Sequence, residues 1–295
     1  MALWQAEHVK ARLEAAHEDL DVVLVPMVTE GDKKLGQPLA AAGGKGLFLK
    51  ELEQAMQQGR ADIAVHSMKD VPTELPEGFC VSAILDRAPV ADALVSNHFD
   101  SLSTLPPGAV VGTSSLRRRA QLLRARPDLK VIDLRGNVNT RLARLDAGDY
   151  DAILLAAAGL ERLELHSRIR FRLDPPEWIP AAGQGAVGIE QLSVNEALLP
   201  LMDVLNDPVT AQCVLAERAV AHALGASCHL PVAAYAHMDD ETIHLQGMVG
   251  DPEGKKVLVA SASGTQPDEV GSAVAQGLMD QGAQAILAAL ENFHG

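Results

Sequence analysis

The sequence predicts an α/β protein with two α/β domains followed by a small α+β domain. Between residues 3 and 165, short apolar strands alternate with helices, a pattern typical of βαβ units and a largely parallel sheet. After residue 207 the pattern changes to one long helix and three strands joined by short turns. The length of 295 residues agrees with several domains, because single hydrophobic cores seldom grow beyond about 250–300 residues.

The elements of the first domain are predicted from apolar periodicity and from breakers. Gly59 is a natural C-cap for the helix that precedes it. The predicted helices are Leu3–Ala16, which is amphipathic, and Leu47–Gln58. The predicted strands are Asp21–Thr29, which we expect to be buried, Asp62–Val65, Cys80–Leu85 and Asp92–Ser96.

Three strand–helix units follow in the second domain, and Pro127 and Gly148 close the first two helices. The predicted strands are Ala109–Gly112, Lys130–Leu134 and Ala152–Ala157, and the predicted helices are Ser115–Arg126, Asn137–Ala147 and Gly159–Leu165. The Pro-rich segment Asp174–Pro180 and the Ala-Ala-Gly-Gln-Gly run after it indicate a crossover between domains.

The last domain begins with a helix over Asp207–Leu224, where Asp207 is the N-cap and Pro208 occupies the first helical position. Short turns then separate three predicted strands, and a helical segment closes the domain. The strands are Pro231–Met238, Thr242–Val249 and Lys256–Ser263, and the closing segment is Asp268–Phe293.

An acidic chain carries one dense block of positive charge. The formal net charge is −14, yet residues 114–144 contain nine Lys or Arg and only two Asp. Proteins that bind nucleic acid usually spread basic charge over a face, because affinity grows with the number of phosphates neutralised. Arginines concentrated beside strand-to-helix turns favour a small polyanion in a cleft, since guanidinium forks pair with carboxylates or phosphates.

Composition disfavours other classes of protein. Aromatic residues make up 3% of the chain, which leaves few platforms for stacking single-stranded nucleic acid. No apolar run is long enough to span a bilayer, and the N-terminus lacks the basic start and apolar core of a signal peptide. The three cysteines are widely spaced, so we expect neither a disulfide framework nor a metal site. The expected compartment is a reducing cytoplasm.

Two consecutive strand-to-helix turns are candidate anion sites. Residues 113–119 (TSSLRRR) open a helix, and helix N-termini attract anions. The alternative is a solvated basic helix face. Three consecutive arginines cannot share one face, so we expect Arg119 to be merely solvated. Arg135 and Arg141 repeat the arrangement at the next strand end, where open α/β sheets place ligands. The alternative there is an ordinary turn with exposed arginines.

Three further segments carry residues of chemical interest. Asp70, beside Lys69 after a strand, could stabilise a developing cation or move a proton. Without other evidence a plain surface pair is the favoured interpretation of these two residues. Residues 43–46 (GGKG) form either a phosphate-like nest or a mobile hinge or lid. Cys228 lies on a Gly-containing loop that would expose its thiol, whereas the other two cysteines are interpreted as core packing.

Seven segments taken together resemble the porphobilinogen deaminase (hydroxymethylbilane synthase) family. Each segment is moderately specific, and their occurrence in family order along the whole chain is highly specific. They are Gly43–Glu51 (GGKGLFLKE), Ala61–Pro72 (ADIAVHSMKDVP), Val111–Arg118 (VGTSSLRR), Leu134–Leu142 (LRGNVNTRL), Tyr150–Leu160 (YDAILLAAAGL), Pro180–Glu190 (PAAGQGAVGIE) and the loop cysteine Cys228.

The resemblance implies two domains of the periplasmic-binding-protein type and a C-terminal α+β domain with a three-stranded antiparallel sheet. The first domain would comprise residues 1–85 and 186–203, the second 91–179, and the third, which carries the cysteine, 208–295. The family also implies a monomeric cytoplasmic transferase of haem-type tetrapyrrole biosynthesis. Its substrate would be porphobilinogen, and no metal, nucleotide, nucleic acid or membrane would be involved.

The family also implies roles for individual residues. Cys228 would hold a dipyrromethane cofactor through a thioether, and four porphobilinogen molecules would add head to tail with loss of ammonia before hydrolysis releases the linear tetrapyrrole. Asp70 would stabilise positive charge on pyrrole nitrogen, and cations would pair with the acetate and propionate of each unit. Further cofactor contacts are implied for Lys69, Asp70, Thr113, Ser115, Arg117, Arg118 and Arg141. Substrate contacts are implied for Lys45, Arg135, Arg141, Arg162 and Gln184, the last near the interdomain hinge.

The sequence departs from the family pattern at its beginning. Family members begin with a strand that bears an Arg and a Ser, and this sequence starts just after it, at Met1-Ala2-Leu3-Trp4-Gln5. We therefore expect impaired activity and unpaired backbone groups on a neighbouring strand. The enzyme is the leading hypothesis. The alternatives are a truncated, impaired homologue that acts as an anion-binding module, and a nucleic-acid-binding protein, which the acidic remainder disfavours.

Overall fold

The structure, a computed structural model, describes residues 1–27, 49–225 and 230–291. The Gly-rich segment 43–46 with Lys45, the first residues of the helix predicted over 47–58, and Cys228 lie outside the described residues. None of the described helices is both long and apolar enough to cross a membrane.

Helices and strands alternate through the first two thirds of the chain, in agreement with the sequence pattern. The described α-helices are α1 (Ala2–Ala16), α2 (Lys50–Gln57), α3 (Leu116–Ala125), α4 (Val138–Asp146), α5 (Ala157–Glu161), α6 (Leu199–Met202), α7 (Pro208–Ala223), α8 (Pro267–Asp280) and α9 (Ala283–Glu291). The strands are β1 (Ile63–Ser67), β2 (Phe79–Ile84), β3 (Asp92–Val95), β4 (Val110–Gly112), β5 (Lys130–Ile132), β6 (Ala152–Ala156), β7 (Phe171–Leu173), β8 (Val187–Leu192), β9 (Val232–Asp239), β10 (Thr242–Gly250) and β11 (Val257–Gly264).

The first sheet has the order β1–β8–β2, and β8 is antiparallel to both neighbours. The expectation of a largely parallel sheet is therefore wrong for the described strands. The reason is the position of β8. This strand follows the crossover segment that begins at Asp174, and it lies between β1 and β2, which both run in the opposite direction. A core of α1 side chains, including Val9 and Leu13, packs against this sheet.

The strand predicted over Asp21–Thr29 is absent from its described part, residues 21–27. Val23 is 72% exposed and Val25 is 47% exposed, so the segment is not buried either. A strand needs a partner, and helix α1 supplies the contacts here instead. The N–H of Val22 donates to a Glu14 carboxylate oxygen at 3.0 Å, and the Lys10 ammonium donates to the Val22 carbonyl.

The second sheet has the order β5–β4–β6–β3–β7. Strand β4 is parallel to β5 and β6, which confirms the predicted βαβ units, whereas β3 is antiparallel to β6 and β7. The strand predicted over 92–96 among the elements of the first domain therefore belongs to the second sheet. Strand β7 was not predicted, because three residues beside a Pro-rich segment give little periodicity. Apolar clusters cover both faces of the sheet, one around Leu142 and Leu160 and the other around Leu122 and Trp178.

The C-terminal domain agrees closely with the prediction. Its sheet is antiparallel in the order β11–β10–β9 and packs against α7 and α8. Asp207 caps α7, because its carboxylate accepts from the N–H of Thr210 at 2.7 Å. The closing helical segment is divided into α8 and α9 at Gly282, whose φ of +96° ends a helix without strain.

One buried carboxylate on α7 connects the three domains. Glu217 is 0% exposed and accepts two hydrogen bonds from the Arg87 guanidinium, at 2.7 and 2.9 Å. It also accepts from the backbone N–H of Gly183 at 2.7 Å and of Ala236 at 2.8 Å. Arg87 and Gly183 lie on the two segments that cross between the α/β domains, so α7 holds both crossovers beside β9.

We expect Glu217→Gln to lower the free energy of unfolding by about 3–5 kcal/mol, because it leaves the buried Arg87 guanidinium without a counter-charge. Urea denaturation at pH 7 measures this change. Glu253→Gln is the matched control, since it breaks an exposed pair with Arg119 and should cost less than about 1 kcal/mol. Equal losses in the two variants would contradict the assignment of Glu217 as the connecting residue.

Candidate anion-binding and catalytic site

A buried carboxylate organises the arginine-rich part of the second domain. Asp92 opens β3, a strand that is buried along its whole length, and its own side chain is 0% exposed. One carboxylate oxygen lies 2.7 Å from Arg118 Nη2, and the other lies 2.8 Å from Arg117 Nη1. The same two oxygens accept from Gln184 Nε2 at 3.0 Å and from Trp178 Nε1 at 2.7 Å. Every strong acceptor direction of Asp92 therefore meets a donor.

The N-terminus of α3 places both arginines against Asp92. Ser115 caps the helix, because its hydroxyl accepts a hydrogen bond from the N–H of Arg118 at 3.4 Å. The N–H of Ser115 in turn donates to the hydroxyl of Thr113 at 3.2 Å. Arg117 is only 4% exposed and Arg118 only 6% exposed. The alternative interpretation, a solvated basic helix face, is therefore wrong at these two positions.

Arg119 is not merely solvated, which corrects the sequence prediction. Its guanidinium donates to the Pro252 carbonyl at 2.9 Å and to a Glu253 carboxylate oxygen at 2.9 Å, both in the β10–β11 turn of the C-terminal domain. Helical periodicity correctly separates Arg119 from its neighbours. It could not reveal a partner that lies 134 residues further along the chain.

The charges around Asp92 explain its ionisation. Burial alone would raise the pKa of the Asp92 carboxyl, but the guanidiniums of Arg117 and Arg118 hold that pKa well below its usual range. Burial lowers the pKa of Arg117, and Asp92 opposes the shift. The two arginines and one aspartate together carry a net positive charge in a buried place.

Lys69 and Asp70 approach this group from the first domain. They lie in a short 3-10 turn, Met68–Asp70, directly after β1. Burial lowers the pKa of Lys69, the charge of Asp70 raises it, and Arg118 lowers it again. Lys69 makes no hydrogen bond or ion pair with any residue that the structure describes, so the plain surface pair favoured from sequence is not what the structure has. Asp70 is exposed.

Arg141 completes the group from the first turn of α4. Burial lowers the pKa of Arg141 to about 10, and the charge of Arg118 adds to this shift. Asp70 acts in the opposite direction, and Arg135 lowers the pKa further. Within the described chain the Arg141 side chain donates only to the Gly136 carbonyl, at 2.7 Å, and Arg135 forms no ion pair. We call Lys69, Arg117, Arg118, Arg135 and Arg141 the cation cluster.

The cation cluster has more positive charge than its protein neighbours neutralise. Among the described residues, Asp92 and Asp70 are the acids whose charges act on Lys69, Arg117 and Arg141. In addition, Nε of Arg118 is buried and has no hydrogen-bond partner in the described part of the chain. A buried N–H without an acceptor is costly, and a carboxylate is the acceptor that suits a guanidinium best. The cluster can therefore bind a ligand with several carboxylates.

Two other predicted residues lie beside the crossovers. Gln184 is 1% exposed and donates to the Val90 carbonyl at 2.7 Å as well as to Asp92. Arg162 is separate from the cation cluster. It donates to the Gly185 carbonyl at 2.7 Å, lies 5.3 Å from the centre of the Trp4 ring, and borders a cavity of about 160 Å³.

Lys45 and Cys228 lie outside the described residues. The described thiols agree with a packing role for Cys213, which is 5% exposed and whose pKa is raised to about 11 by burial, while Cys80 is partly buried. His66 is buried, and its Nε2 lies 2.8 Å from a buried Glu190 carboxylate oxygen.

Sequence reasoning missed Asp92 and Trp178. The available signal was the acid itself, since an Asp at the start of the apolar run Ala-Leu-Val must find a partner when the strand is buried. The identity of that partner could not be predicted, because Arg117 and Arg118 are 25 and 26 residues away and Trp178 is 86 residues away.

Comparison with protein-family models gives two matches. Residues 1–199 match a model described as "Porphobilinogen deaminase, dipyromethane cofactor binding domain". Residues 211–280 match a model described as "Porphobilinogen deaminase, C-terminal domain".

Curated relatives are similar over nearly their whole length. A porphobilinogen deaminase of Xanthomonas oryzae pv. oryzae is 58% identical over 292 residues, 98% of this chain and 96% of the relative. One of Stenotrophomonas maltophilia is 56% identical over 289 residues, 97% and 95% of the two chains.

Solved structures also match part of this chain at low sequence identity. One is a periplasmic substrate-binding protein of an ABC transporter from Coxiella burnetii, with a TM-score of 0.42, 15% identity, and coverage of 70% of this chain and 89% of that one. Another is immunogenic lipoprotein A from Vibrio vulnificus, with a TM-score of 0.43, 13% identity, and coverage of 70% and 92%.

We expect Arg141→Gln to raise the free energy of unfolding at pH 7 by about 1 kcal/mol, because the folded state disfavours the charge of Arg141. The folded pKa of about 10 lies below the ordinary pKa of an arginine, so above pH 10 the unfolded chain binds more protons than the folded protein. The free energy of unfolding of the parent protein should therefore rise above pH 10. The difference in this free energy between Arg141→Gln and the parent should become smaller there. Urea denaturation at pH 7 and pH 10.5 measures both effects.

Arg144→Gln on the same helix is the control for this measurement. Arg144 is exposed and pairs with Asp149 at 2.9 Å, so its loss should lower stability slightly at both pH values. A loss of stability in Arg141→Gln equal to that in Arg144→Gln would show that Arg141 already has a protein counter-charge.

Proposed function

The chain belongs to the porphobilinogen deaminase family, and we propose on that premise how its own residues carry out the family reaction. The chain is a transferase that condenses four porphobilinogen molecules head to tail, with loss of ammonia, on a covalently attached dipyrromethane. Hydrolysis then releases the linear tetrapyrrole. A catalytically impaired anion-binding module is not favoured, because the similarity to curated deaminases extends over 98% of the chain.

The cation cluster is the observation that supports the proposal most directly. A dipyrromethane carries two acetates and two propionates, and each porphobilinogen adds one more of each. The cluster offers the ammonium of Lys69 and the guanidiniums of Arg135 and Arg141, none of which forms an ion pair within the described chain, together with the unpartnered Nε of Arg118. These donors fit an acidic pyrrole oligomer in both charge and hydrogen-bonding capacity.

Asp70 is the proposed catalytic residue. Porphobilinogen loses its amino group as ammonia when the C–N bond of its aminomethyl arm breaks, and positive charge then spreads onto the pyrrole nitrogen. The dipyrromethane, when bound, supplies the pyrrole α-carbon that the first porphobilinogen joins, and a proton leaves that carbon. A carboxylate beside the ring stabilises the developing positive charge and accepts a hydrogen bond from the ring N–H. Asp70 is exposed and lies near the charge of Arg141, which supports this role.

The remaining predicted residues bind and orient. We propose that Lys69, Arg117, Arg118 and Arg141 hold carboxylates of the cofactor, with Thr113 and Ser115 at the α3 N-terminus adding hydroxyl contacts. Arg135 and Arg141 would receive carboxylates of the incoming substrate. Arg162 and Gln184 lie beside the crossovers, and Lys45 lies outside the described residues. Their substrate contacts are proposed from the family resemblance.

Cys228 is the proposed attachment point of the cofactor. The loop itself lies outside the described residues, but its neighbours give support. Leu230, the first described residue after the loop, packs against the same apolar cluster as Leu116, the residue before Arg117. Cys213 is a poor alternative, because a thiol with a pKa of about 11 is almost wholly protonated at neutral pH.

We also propose the finer features predicted from the sequence. The domain bounds 1–85 with 186–203, 91–179 and 208–295 agree with the three separate sheets. The chain would act as a cytoplasmic monomer that binds neither nucleic acid nor membrane. The net charge of −14 and the burial of Arg117 and Arg118 support the lack of nucleic-acid binding, since buried arginines cannot follow a phosphate backbone.

Intact-mass measurement tests the attachment directly. The purified protein should carry an added mass equal to two pyrrole units, and Cys228→Ser should have the mass of the bare chain. Cys213→Ser is the matched control and should keep the adduct. A bare parent chain that stays bare after incubation with porphobilinogen would reject the proposed function, and an adduct in Cys228→Ser would reject the attachment site.

Asp70→Asn should lower kcat about 10²- to 10³-fold and leave the unfolding midpoint nearly unchanged, because the carboxylate acts on charge that develops during the reaction. Steady-state kinetics with porphobilinogen on cofactor-loaded protein gives the comparison. Asp62→Asn, an exposed acid just before the same strand, should keep the parent kcat. If Asp70→Asn also keeps it, Asp70 is not the catalytic carboxylate.

A further inference from the structure

Trp178 lies at the centre of the arginine site without belonging to any of the proposed contacts. Its side chain is 5% exposed and packs in the apolar cluster of the second domain with Leu94, Leu105 and Leu122. Its indole N–H donates to an Asp92 carboxylate oxygen at 2.7 Å. Indole has one donor and no acceptor, so this bond uses the whole hydrogen-bonding capacity of the side chain. Any hydrogen-bonding effect of Trp178 on a ligand must therefore pass through Asp92.

Asp92 fixes the direction of both buried guanidiniums. Arg117 uses Nη1 for Asp92 and for the Ile179 carbonyl, at 2.8 and 2.9 Å. Arg118 uses Nη2 for Asp92 and Nη1 for the Leu154 carbonyl, at 2.7 and 3.1 Å. With these nitrogens held, the plane of each guanidinium is set, and so is the direction in which the remaining N–H groups point. The unpartnered Nε of Arg118 is one of those groups.

The carboxylate of Asp92 is in turn held from the second crossover. Gln184 donates to the oxygen that Arg118 shares, and Trp178 donates to the oxygen that Arg117 shares. Without the indole donor, the Asp92 oxygen that Trp178 shares with Arg117 would keep Arg117 as its partner, and the carboxylate could rotate toward it. The two guanidiniums would then lose the fixed spacing that lets both of them meet carboxylates of one ligand.

We propose that Trp178 is a positioning residue for the anion-binding arginine pair, acting through its hydrogen bond to Asp92. The inference rests on the proposed function, since the ligand of the pair is the acidic dipyrromethane. This role can be separated from core packing. A phenylalanine at position 178 would fill most of the same space and would lose the indole N–H, so it tests the hydrogen bond more than the packing.

The test compares Trp178→Phe with the parent protein in assembling the cofactor from porphobilinogen. Protein without the adduct is incubated with porphobilinogen, and the two-pyrrole adduct is followed by intact mass. We expect Trp178→Phe to assemble the adduct roughly tenfold more slowly, which corresponds to about 1.4 kcal/mol. The far-ultraviolet circular dichroism spectrum, which reports on secondary structure, should stay the same. Assembly at the parent rate would overturn the inference.

Leu105→Ala separates positioning from stability. Leu105 is 2% exposed and lies in the same apolar cluster, but it makes no contact with Asp92 through a polar atom. This variant should lower the unfolding midpoint and assemble the adduct at the parent rate. If Leu105→Ala is slowed as much as Trp178→Phe, the effect of Trp178 is packing and the inference fails. If the parent protein itself forms no adduct, the proposed function fails first.

A second measurement does not depend on the folding of Trp178→Phe. The chain has two tryptophans, Trp4 and Trp178, so in Trp4→Phe the fluorescence reports on Trp178 alone. Carboxylates that reach Arg117 and Arg118 draw these cations from Asp92 and change the field at the indole N–H. The emission should therefore shift in step with the adduct mass. Unchanged emission at full adduct formation would contradict the coupling between Trp178 and the arginine pair.

Discussion

Two guanidinium groups cannot be buried in the core of an α/β domain unless a carboxylate is buried with them. Burying an unpaired charge costs several kcal/mol, and a buried pair need not stabilise the fold even when its geometry is good. The bonds from Asp92 to Arg117 and Arg118 therefore matter less as a source of stability than as a constraint on direction. They turn two long, flexible side chains into a fixed pair of forks. The rest of the cation cluster is arranged around that pair.

The same constraint recurs at two other contacts between elements. Glu217 on α7 pairs with Arg87 on the first crossover, and Glu190 on β8 forms a hydrogen bond with His66 on β1. Each carboxylate is 0% exposed. Apolar packing tolerates small sliding of one element over another, but a buried charge does not, because an unmatched partner is costly. The crossovers and the end of β1 are thus fixed relative to α7, which sets where the turn with Lys69 and Asp70 lies.

How well the sequence predicts the structure depends on the distance between partners. The N-cap Asp207, the positive-φ Gly59 and the hairpin strands of the last domain follow from neighbours a few residues away, and the structure has them as predicted. The direction of β8 depends on pairing across more than a hundred residues, and local periodicity carries no information about it. Residues 21–27 are apolar enough for a strand, but a strand forms only where a partner exists.

The site shows the same limit. The arginine-rich turns were found because positive charge at helix N-termini is a local signal. The contribution of Asp92 and Trp178 depends on their position in the folded core. The roles of Asp70 and of Cys228, which lies outside the described residues, rest on the family resemblance, since a single carboxylate or thiol on a loop is not specific by itself. The bond between Arg119 and Glu253 illustrates the opposite case, where a side chain expected in solvent joins two domains.

The depth of the arginines also explains why this basic block does not imply nucleic-acid binding. A duplex or a single strand meets a protein along a surface, and the contribution of each cation depends on its reaching a phosphate from outside. Arg117 and Arg118 are almost fully buried, and burial lowers the pKa of Arg141 on the next helix. Such groups can meet only a ligand small enough to enter between the domains, and the acids of that ligand must replace the water that the arginines have lost. A compact polycarboxylate satisfies both conditions, and it supplies negative charge in the place where the folded protein lacks it.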